Sequence, residues 1–182
     1  MFSLSTKKQA KNIRQTTNND RYDRYYYYGQ KLFNEEWFSY KRGIKRMHRF
    51  GGPSYIQYND HGLISQESWH IHGKLTRTAY YSIFGSLHSI RQYGDSLKPT
   101  YVSYYSDGTI MEERWLDTEG RTIRPNGPAC ISYCHGGAIK TEVWTNEYGQ
   151  VHRDPDPAII SYFPDGNIDE KKWVHHGKII IR

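Results

Sequence analysis

The sequence predicts an all-β fold, an elongated antiparallel sheet made of repeated β-hairpins. Three observations support this prediction. Several residue types recur at fixed spacing, short segments alternate between apolar and polar residues, and tyrosine is unusually frequent. The chain has 17 tyrosines among 182 residues, whereas its hydrophobic content is only 36%. Because a tyrosine ring packs while its hydroxyl stays in water, this composition favours a thin sheet over a globule with a thick core.

The best-preserved repeat spans residues 127–153. It begins with Gly-Pro, continues through an alternating strand, a Gly turn and a second strand ending at Trp, and closes with a second Gly turn and His-Arg. Gly108, Gly137 and Gly166 are 29 residues apart. The same interval separates Trp115, Trp144 and Trp173, and also Pro99, Pro128 and Pro157. Internal repeats of this length indicate an array of similar units.

The first strand of each repeat alternates with a period of two. Ala129, Ile131 and Tyr133 are expected to face one side of the sheet, and Ser132 the other. The first turn contains an Asp-Gly pair in two repeats, and such pairs predict two-residue hairpin turns because both residues tolerate a positive φ. These pairs are Asp107-Gly108 and Asp165-Gly166.

The second strand carries a Glu two residues before its Trp. This Glu is Glu67, Glu113 or Glu142, depending on the repeat. The closing Arg could pair with the Glu of its own or a neighbouring repeat, or it could stack on the Trp. Pairing between repeats is the preferred interpretation, because one hairpin alone is marginally stable in water.

The chain is predicted to contain a basic N-terminal arm at 1–20 and a repeat β-sheet domain at 21–182. The repeats lie at about 21–51, 52–77, 78–97, 98–126, 127–156 and 157–182, and the third is degenerate because it lacks the Pro, Trp and His-Arg. Residues that recur are interpreted as scaffold, since one active site does not need five copies. They are Trp37, Trp69, Trp115, Trp144, Trp173, Pro53, Pro99, Pro128, Pro157, Gly62, Gly108, Gly137 and Gly166.

Positive charge is concentrated at the N-terminus. Residues 1–51 carry a net charge of +8, whereas residues 52–182 carry −2. The arm is either a solvated, disordered or weakly helical tail, or a contact arm ordered by a partner. A protein partner is expected, nucleic acid is a second candidate because Tyr and Arg interleave at 21–28, and an anionic membrane surface is a weaker one. The predicted partner-binding residues are Lys7, Lys8, Lys11, Arg14, Arg21 and Arg24.

Residues outside the recurring set are the candidates for a metal site or a catalytic role. The pairs His70/His72 and His175/His176 stand at matching places near second turns, but no third ligand follows at a spacing typical of a metal site. Cys130, Cys134 and His135 are interpreted as substitutions within a packed surface. The two thiols would lie about 13 Å apart on a strand, too far for a disulfide. We therefore expect no catalytic residue, no metal, no cofactor and no small-molecule substrate.

The pattern G-P-A-x-I-x-Y-x-x-x-G-x-I-x-x-E-x-W, followed by Gly and His-Arg, resembles the variant MORN-like repeats of bacterial antitoxin-like proteins of the YwqK kind. It is also similar to the HR-x-GPA-x-I-x-Y repeats of proteins from large DNA viruses. The resemblance covers about 21–182 and is best over 98–182. It implies an elongated, twisted antiparallel sheet that acts as a scaffold or docking surface without catalysis.

The expected function is therefore structural: a scaffold or cement-like component of a larger assembly, such as a minor capsid protein of a virion, tethered by its arm. An antitoxin-type regulatory module that binds a partner protein is one alternative, and a nucleic-acid-binding protein is another. The N-terminus lacks the apolar stretch of a secretory signal, and no apolar run approaches the ~18 residues that span a bilayer. With two cysteines interpreted as reduced thiols, an intracellular, cytoplasmic location is expected.

Overall fold

The computed structural model describes residues 9–13, 21–28, 31–93 and 97–180, with only the backbone described at 9–13, 21–28 and 41. All regular structure within these ranges is β-strand, and every described strand pair is antiparallel. The prediction of an all-β fold of repeated hairpins is confirmed. These ranges contain no helix that is long and apolar enough to cross a membrane. The chain divides into two compact units, Met1–Leu87 and His88–Arg182.

The described residues of the first compact unit form seven strands. They are β1 (Gln9–Ile13), β2 (Arg21–Tyr28), β3 (Lys31–Lys41), β4 (Ile44–Met47), β5 (Tyr55–Tyr58), β6 (Ile64–Ile71) and β7 (Lys74–Tyr81). Their order is β1-β2-β3-β5-β6-β7. The long β3 pairs with β5 through its first half and with β4 through its second half, so β4 lies off the main path.

Part of the predicted N-terminal arm belongs to this sheet. Strand β1 runs antiparallel to β2, with Lys11 opposite Tyr25. Arg21 and Arg24 lie in β2. Of the other residues predicted for partner binding, Lys7, Lys8 and Arg14 lie outside the described residues.

The second compact unit is a meander in which each strand pairs with the next in the chain. Its strands are β8 (Leu87–Gln92, from the second residue onward), β9 (Tyr101–Tyr104), β10 (Ile110–Arg114), β11 (Cys130–Tyr133), β12 (Ile139–Val143), β13 (Ile159–Tyr162), β14 (Ile168–His175) and β15 (Lys178–Ile180). Turns of two to five residues join the pairs β9/β10, β11/β12, β13/β14 and β14/β15, and strands joined in this way pair with each other. Longer connections of 15 residues join β10 to β11 and β12 to β13.

The first turns at Asp107-Gly108 and Asp165-Gly166 differ from the predicted two-residue hairpins. The N–H of Tyr105 donates to the carbonyl of Thr109 at 2.8 Å, and the N–H of Gly108 donates to the carbonyl of Tyr105 at 3.0 Å. Gly108 has a φ of +86°, but Asp107 does not have a positive φ. Asp107 instead accepts the N–H of Thr109 through Oδ1 at 2.9 Å. The turn is therefore longer than predicted and closes on a left-handed glycine, with Asp used as a hydrogen-bond acceptor.

Two-residue turns occur at the second turn of three repeats. Both central residues have positive φ at Arg42-Gly43, His72-Gly73 and His176-Gly177. These turns join β3 to β4, β6 to β7 and β14 to β15. Positive φ at both central positions matches the right-handed twist of the flanking strands, and glycine adopts it without steric cost.

The core is thin, as the composition predicted. Its larger buried apolar side chains are Ile56, Ile90, Val102, Trp115, Ile131 and Val174. Ser103, which alternates with the buried Val102 in β9, is only 1% exposed. Because a serine side chain is short, longer side chains on the same face can cover it.

Candidate functional site

In four repeats, the closing Arg lies over the Trp ring of the same repeat. The guanidinium carbon of Arg124 is 3.7 Å from the centroid of the Trp115 ring, and Arg153 is 4.2 Å from that of Trp144. The same contact occurs twice in the first compact unit. The guanidinium carbon lies 4.0 Å from the ring centroid for Arg49 and Trp37, and 4.5 Å for Arg77 and Trp69. The preferred interpretation, pairing of this Arg with a Glu of a neighbouring repeat, is therefore wrong for these four residues, and the structure shows the alternative, stacking on the Trp. Such cation–π contacts contribute about 0.5–2 kcal/mol, depending on burial.

The Arg also explains the Gly-Pro that follows it. Arg124 donates from Nη1 to the carbonyl of Pro128 at 3.3 Å. A Cβ on Gly127 would lie 3.2 Å from atoms of that guanidinium group, so a residue without a side chain allows this close packing. In the next repeat, Asp156 occupies the position equivalent to Gly127. Arg153 forms an ion pair with this Asp156 at 3.3 Å.

The recurring Glu accepts a hydrogen bond from a Tyr hydroxyl of the next repeat. Tyr133 donates to Glu113 at 2.7 Å, and Tyr162 donates to Glu142 at 2.6 Å. Two more contacts of this kind link Tyr58 to Glu35 and Tyr81 to Glu67, both at 2.5 Å. Hydrogen bonds to a charged group are the stronger ones in proteins. The recurring polar residues are thus engaged in holding successive repeats together.

These contacts raise the pKa values of the tyrosines. The hydrogen bond to Glu142, followed by burial, raises the pKa of Tyr162 to about 12. Burial, followed by the hydrogen bond to Glu67, raises the pKa of Tyr81 to about 12. Burial is also the first cause of the raised pKa of Tyr133. In each case a nearby carboxylate and reduced hydration disfavour the phenolate.

Replacing Glu142 by Gln should move the pKa of Tyr162 from about 12 towards the unperturbed value of about 10. A pKa raised in the folded state gives a stability contribution that is complete below pH ~10 and is lost as the pH rises through ~12. Ultraviolet difference titration at alkaline pH, compared between wild type and variant, measures this shift. Glu147→Gln, at an exposed turn, is the control, and identical titrations of Glu142→Gln and wild type would contradict the assignment.

The other predicted scaffold residues frame these contacts. Trp37, Trp69 and Trp173 lie in β3, β6 and β14, whereas Trp115 and Trp144 directly follow β10 and β12. The four scaffold glycines occupy the left-handed position of the first turn: Gly62, Gly108, Gly137 and Gly166. Pro53, Pro99, Pro128 and Pro157 each precede a small residue at the start of a first strand.

The two cysteines are free thiols, as expected. Cys130 begins β11, and burial is the first cause of its raised pKa. Cys134 flanks a first turn, where its N–H donates to the carbonyl of Ala138 at 2.8 Å. A raised pKa keeps a thiol protonated and less nucleophilic, so the environment of Cys130 resembles that of a structural cysteine.

A row of isoleucines is exposed in the second compact unit. Ile110, Ile139 and Ile168 begin β10, β12 and β14, two residues after the first-turn Gly of their repeats. Their exposed fractions are 37%, 37% and 48%. Each isoleucine pairs with a Tyr of the preceding strand, next to an irregularity in the strand register. These tyrosines are Tyr104, Tyr133 and Tyr162. Because the backbone repeats, we expect the three side chains to leave the sheet in the same direction, about 9.6 Å apart, which is two strand spacings. We call these residues the isoleucine row.

Three histidines converge at the last two-residue turn. His175 ends β14, His176 is the first central residue of the turn, and His152 belongs to the preceding repeat. The ring centroids lie 4.7 Å apart for His152/His175, 4.6 Å for His152/His176 and 4.4 Å for His175/His176. One ring nitrogen from each residue lies within 4.8 Å of the others. Within the described ranges, this is the one group of three His, Cys, Asp or Glu side chains with such spacing.

Backbone hydrogen bonds fix this arrangement. The N–H of His152 donates to the carbonyl of Trp144 at 3.0 Å, and the N–H of Gly177 donates to that of Val151 at 2.9 Å. The N–H of His176 also donates to Nδ1 of His152 at 3.3 Å. Burial, together with the charges of His176 and His175, lowers the pKa of His152, against a smaller opposing effect of Asp154. These effects favour the neutral form of the His152 ring.

Sequence reasoning placed His175 and His176 together but missed His152. The residue lies 24 positions before His176 and becomes its neighbour only through strand pairing. A signal was present, because His48 and His72 recur at the equivalent places of the first compact unit. Their rings stack there at 4.9 Å.

The chain matches no protein-family model, and a comparison with curated proteins gives no significant match.

Proposed function

We propose that this chain is a non-catalytic structural protein, a MORN-like scaffold component of a larger protein assembly. The observation that carries the proposal is the isoleucine row. It presents exposed apolar side chains at one register of three successive hairpins, as a docking surface for a partner protein requires. The recurring Arg, Trp, Glu and Tyr residues support the same conclusion, because their contacts with each other hold the repeats in place.

The chemistry of the row favours a protein over a nucleic acid. Isoleucine side chains offer neither charge nor hydrogen bonds to a phosphate backbone. Residues 52–182, which contain the row, carry a net charge of −2 and would not attract a polyanion. A partner that presents an apolar edge of similar periodicity fits this surface best.

The basic N-terminal part serves, in this proposal, as a tether to a neighbouring subunit. Its net charge of +8 over residues 1–51 is complementary to acidic surfaces, including the body of another copy. The tethering residues would be Lys7, Lys8, Lys11, Arg14, Arg21 and Arg24. A virion, with this chain as a minor capsid protein, is the assembly that the resemblance favours.

The triple variant Ile110→Ser, Ile139→Ser, Ile168→Ser should weaken partner binding about 10- to 100-fold. Each partly exposed isoleucine that becomes buried in the complex contributes roughly 0.5–1 kcal/mol. The partner is first captured from native material with the wild-type chain and identified by mass spectrometry. It is then purified and titrated against both proteins by calorimetry. Lys140→Ala with Asp169→Ala, at exposed neighbouring positions of β12 and β14, is the matched control.

The same titrations distinguish the alternatives. Equal affinity of the wild type and the triple isoleucine variant for the purified partner would reject the row as the docking surface. Binding to nucleic acid that falls steeply with salt would favour the nucleic-acid-binding alternative instead. Capture of one toxic protein at fixed stoichiometry, with rescue of growth, would favour the antitoxin-type alternative.

A further inference from the structure

We propose that His152, His175 and His176 bind one divalent transition-metal ion of the Zn²⁺ or Ni²⁺ class through one imidazole nitrogen each. The site is independent of the isoleucine row and of the proposed tether. Three imidazoles are a common ligand set for Zn²⁺, with the remaining position taken by water or by a group from a partner. Imidazole also suits Ni²⁺, Cu²⁺ and Co²⁺.

The spacing of the ring nitrogens is close to what an ion requires. Zn–N bonds of about 2.0–2.1 Å place the nitrogens of a tetrahedral site about 3.3 Å apart. The three ring nitrogens here lie within 4.8 Å of one another. His175 and His176 are exposed, so rotation of their side chains can shorten these distances. His152 must in addition release the contact between its Nδ1 and the N–H of His176 in order to offer a lone pair to the ion. The backbone already holds the three residues together, through the hydrogen bond from Gly177 to Val151.

The comparison with the first compact unit shows what is specific to this site. His48 and His72 stack at 4.9 Å, and the N–H of Gly73 donates to the carbonyl of Met47 at 3.0 Å, so the same turn is built there. However, Ile71 stands at the position equivalent to His175. The stack of two histidines therefore accompanies the turn in both places. The third imidazole, His175, is found in the last repeat, and the turn forms without it in the first compact unit.

Asn146 sets the hydrogen bonding of the site. Its Nδ2 lies 3.1 Å from Nδ1 of His176 and donates to it. Its Oδ1 accepts the N–H groups of Tyr148 and Gln150, both at 3.0 Å, which fixes the amide orientation. Because Nδ1 of His176 accepts this hydrogen bond, the ring favours the tautomer with its proton on Nε2. The Nε2 nitrogen then has no lone pair for an ion. Asn146 therefore weakens coordination through Nε2 of His176.

The substitution Asn146→Asp should reverse this effect. A carboxylate accepts a proton from Nδ1, holds the tautomer with a free Nε2 and strengthens the ligand. The turn tolerates Asp, because Asp117 occupies the equivalent place in the preceding repeat and accepts the N–H groups of Glu119 and Arg121 in the same way.

The test uses the full chain without a polyhistidine tag and Zn²⁺ itself, titrated in competition with a chromogenic chelator. We expect one ion per chain, at least about 30-fold weaker binding in His175→Ile, and about 10-fold tighter binding in Asn146→Asp. His72→Gln, which disturbs the two-histidine stack, is the control and should bind like the wild type. Far-UV circular dichroism confirms that each variant is folded, and Ile71 shows that isoleucine is accepted at that position.

Co²⁺ provides a second readout, because its visible spectrum reports coordination by nitrogen and the coordination number. A tetrahedral or five-coordinate spectrum in the wild type, lost in His175→Ile and in His152→Asn, supports the site. Zn²⁺ affinity that is the same in the wild type and His175→Ile overturns it. Loss of the ion in His72→Gln alone also overturns it, because the ion would then lie in the first compact unit.

Discussion

Replacement of Trp115 by Ala is expected to destabilise the protein by about 3–5 kcal/mol, the largest effect of any single substitution considered for this chain. Trp115 is 7% exposed and is the bulkiest of the buried core residues. The Arg124 guanidinium lies over its ring, and the backbone N–H of Trp115 donates to the backbone carbonyl of Ala129 at 3.0 Å. Alanine keeps the backbone bond but removes the ring, so it leaves a cavity and an unsupported Arg.

Urea unfolding followed by far-UV circular dichroism measures this change in the free energy of unfolding. Tyr148→Ala is the control, because Tyr148 is an aromatic residue that is 64% exposed in a turn, and its loss should change the free energy by less than about 0.5 kcal/mol. Similar effects of the two substitutions would show that the Trp115 ring is not part of the core.

Replacement of Ala129 by Leu should destabilise the protein by about 1–3 kcal/mol through overpacking. Ala129 is 0% exposed. Its N–H donates to the carbonyl of Val143 at 2.8 Å, and its own carbonyl accepts the N–H of Trp115. The residue is thus fixed between two strands, and three extra carbon atoms cannot enter without moving one of them.

The same unfolding assay applies to Ala129→Leu, and the control is Lys140→Leu at an exposed position of β12. We expect the control to leave the unfolding midpoint nearly unchanged. A neutral or stabilising Ala129→Leu would mean that the space around this position is larger than the burial of Ala129 indicates.

The fold was predictable from the sequence because its determinants are local and repeated. The alternation around Ile131 predicts a strand from neighbouring residues alone. The spacing of Gly108 and Gly137 predicts that the hairpins recur. Asp107-Gly108 correctly marked a turn but not its type, since both the two-residue and the longer turn accept that pair. The choice between them depends on hydrogen bonds that the flanking strands impose.

The contacts of the candidate sites were less predictable because they join distant residues. The partner of Glu142 is Tyr162, 20 positions later, and sequence reasoning considered only Arg as a partner for this Glu. The recurrence of Glu and Tyr at that interval, also seen for Glu113 and Tyr133, was the available signal. His152 was missed for the same reason, because strand register decides which side chains become neighbours.

The recurring Glu and Tyr residues hold successive repeats together through the hydrogen bonds between their side chains. A double-mutant cycle between Glu113→Ala and Tyr133→Phe tests this claim most directly, with the free energy of unfolding measured for the wild type, both single variants and the double variant. The 2.7 Å hydrogen bond between the two side chains predicts a coupling energy of about 1–2 kcal/mol. A coupling energy indistinguishable from zero would contradict the claim.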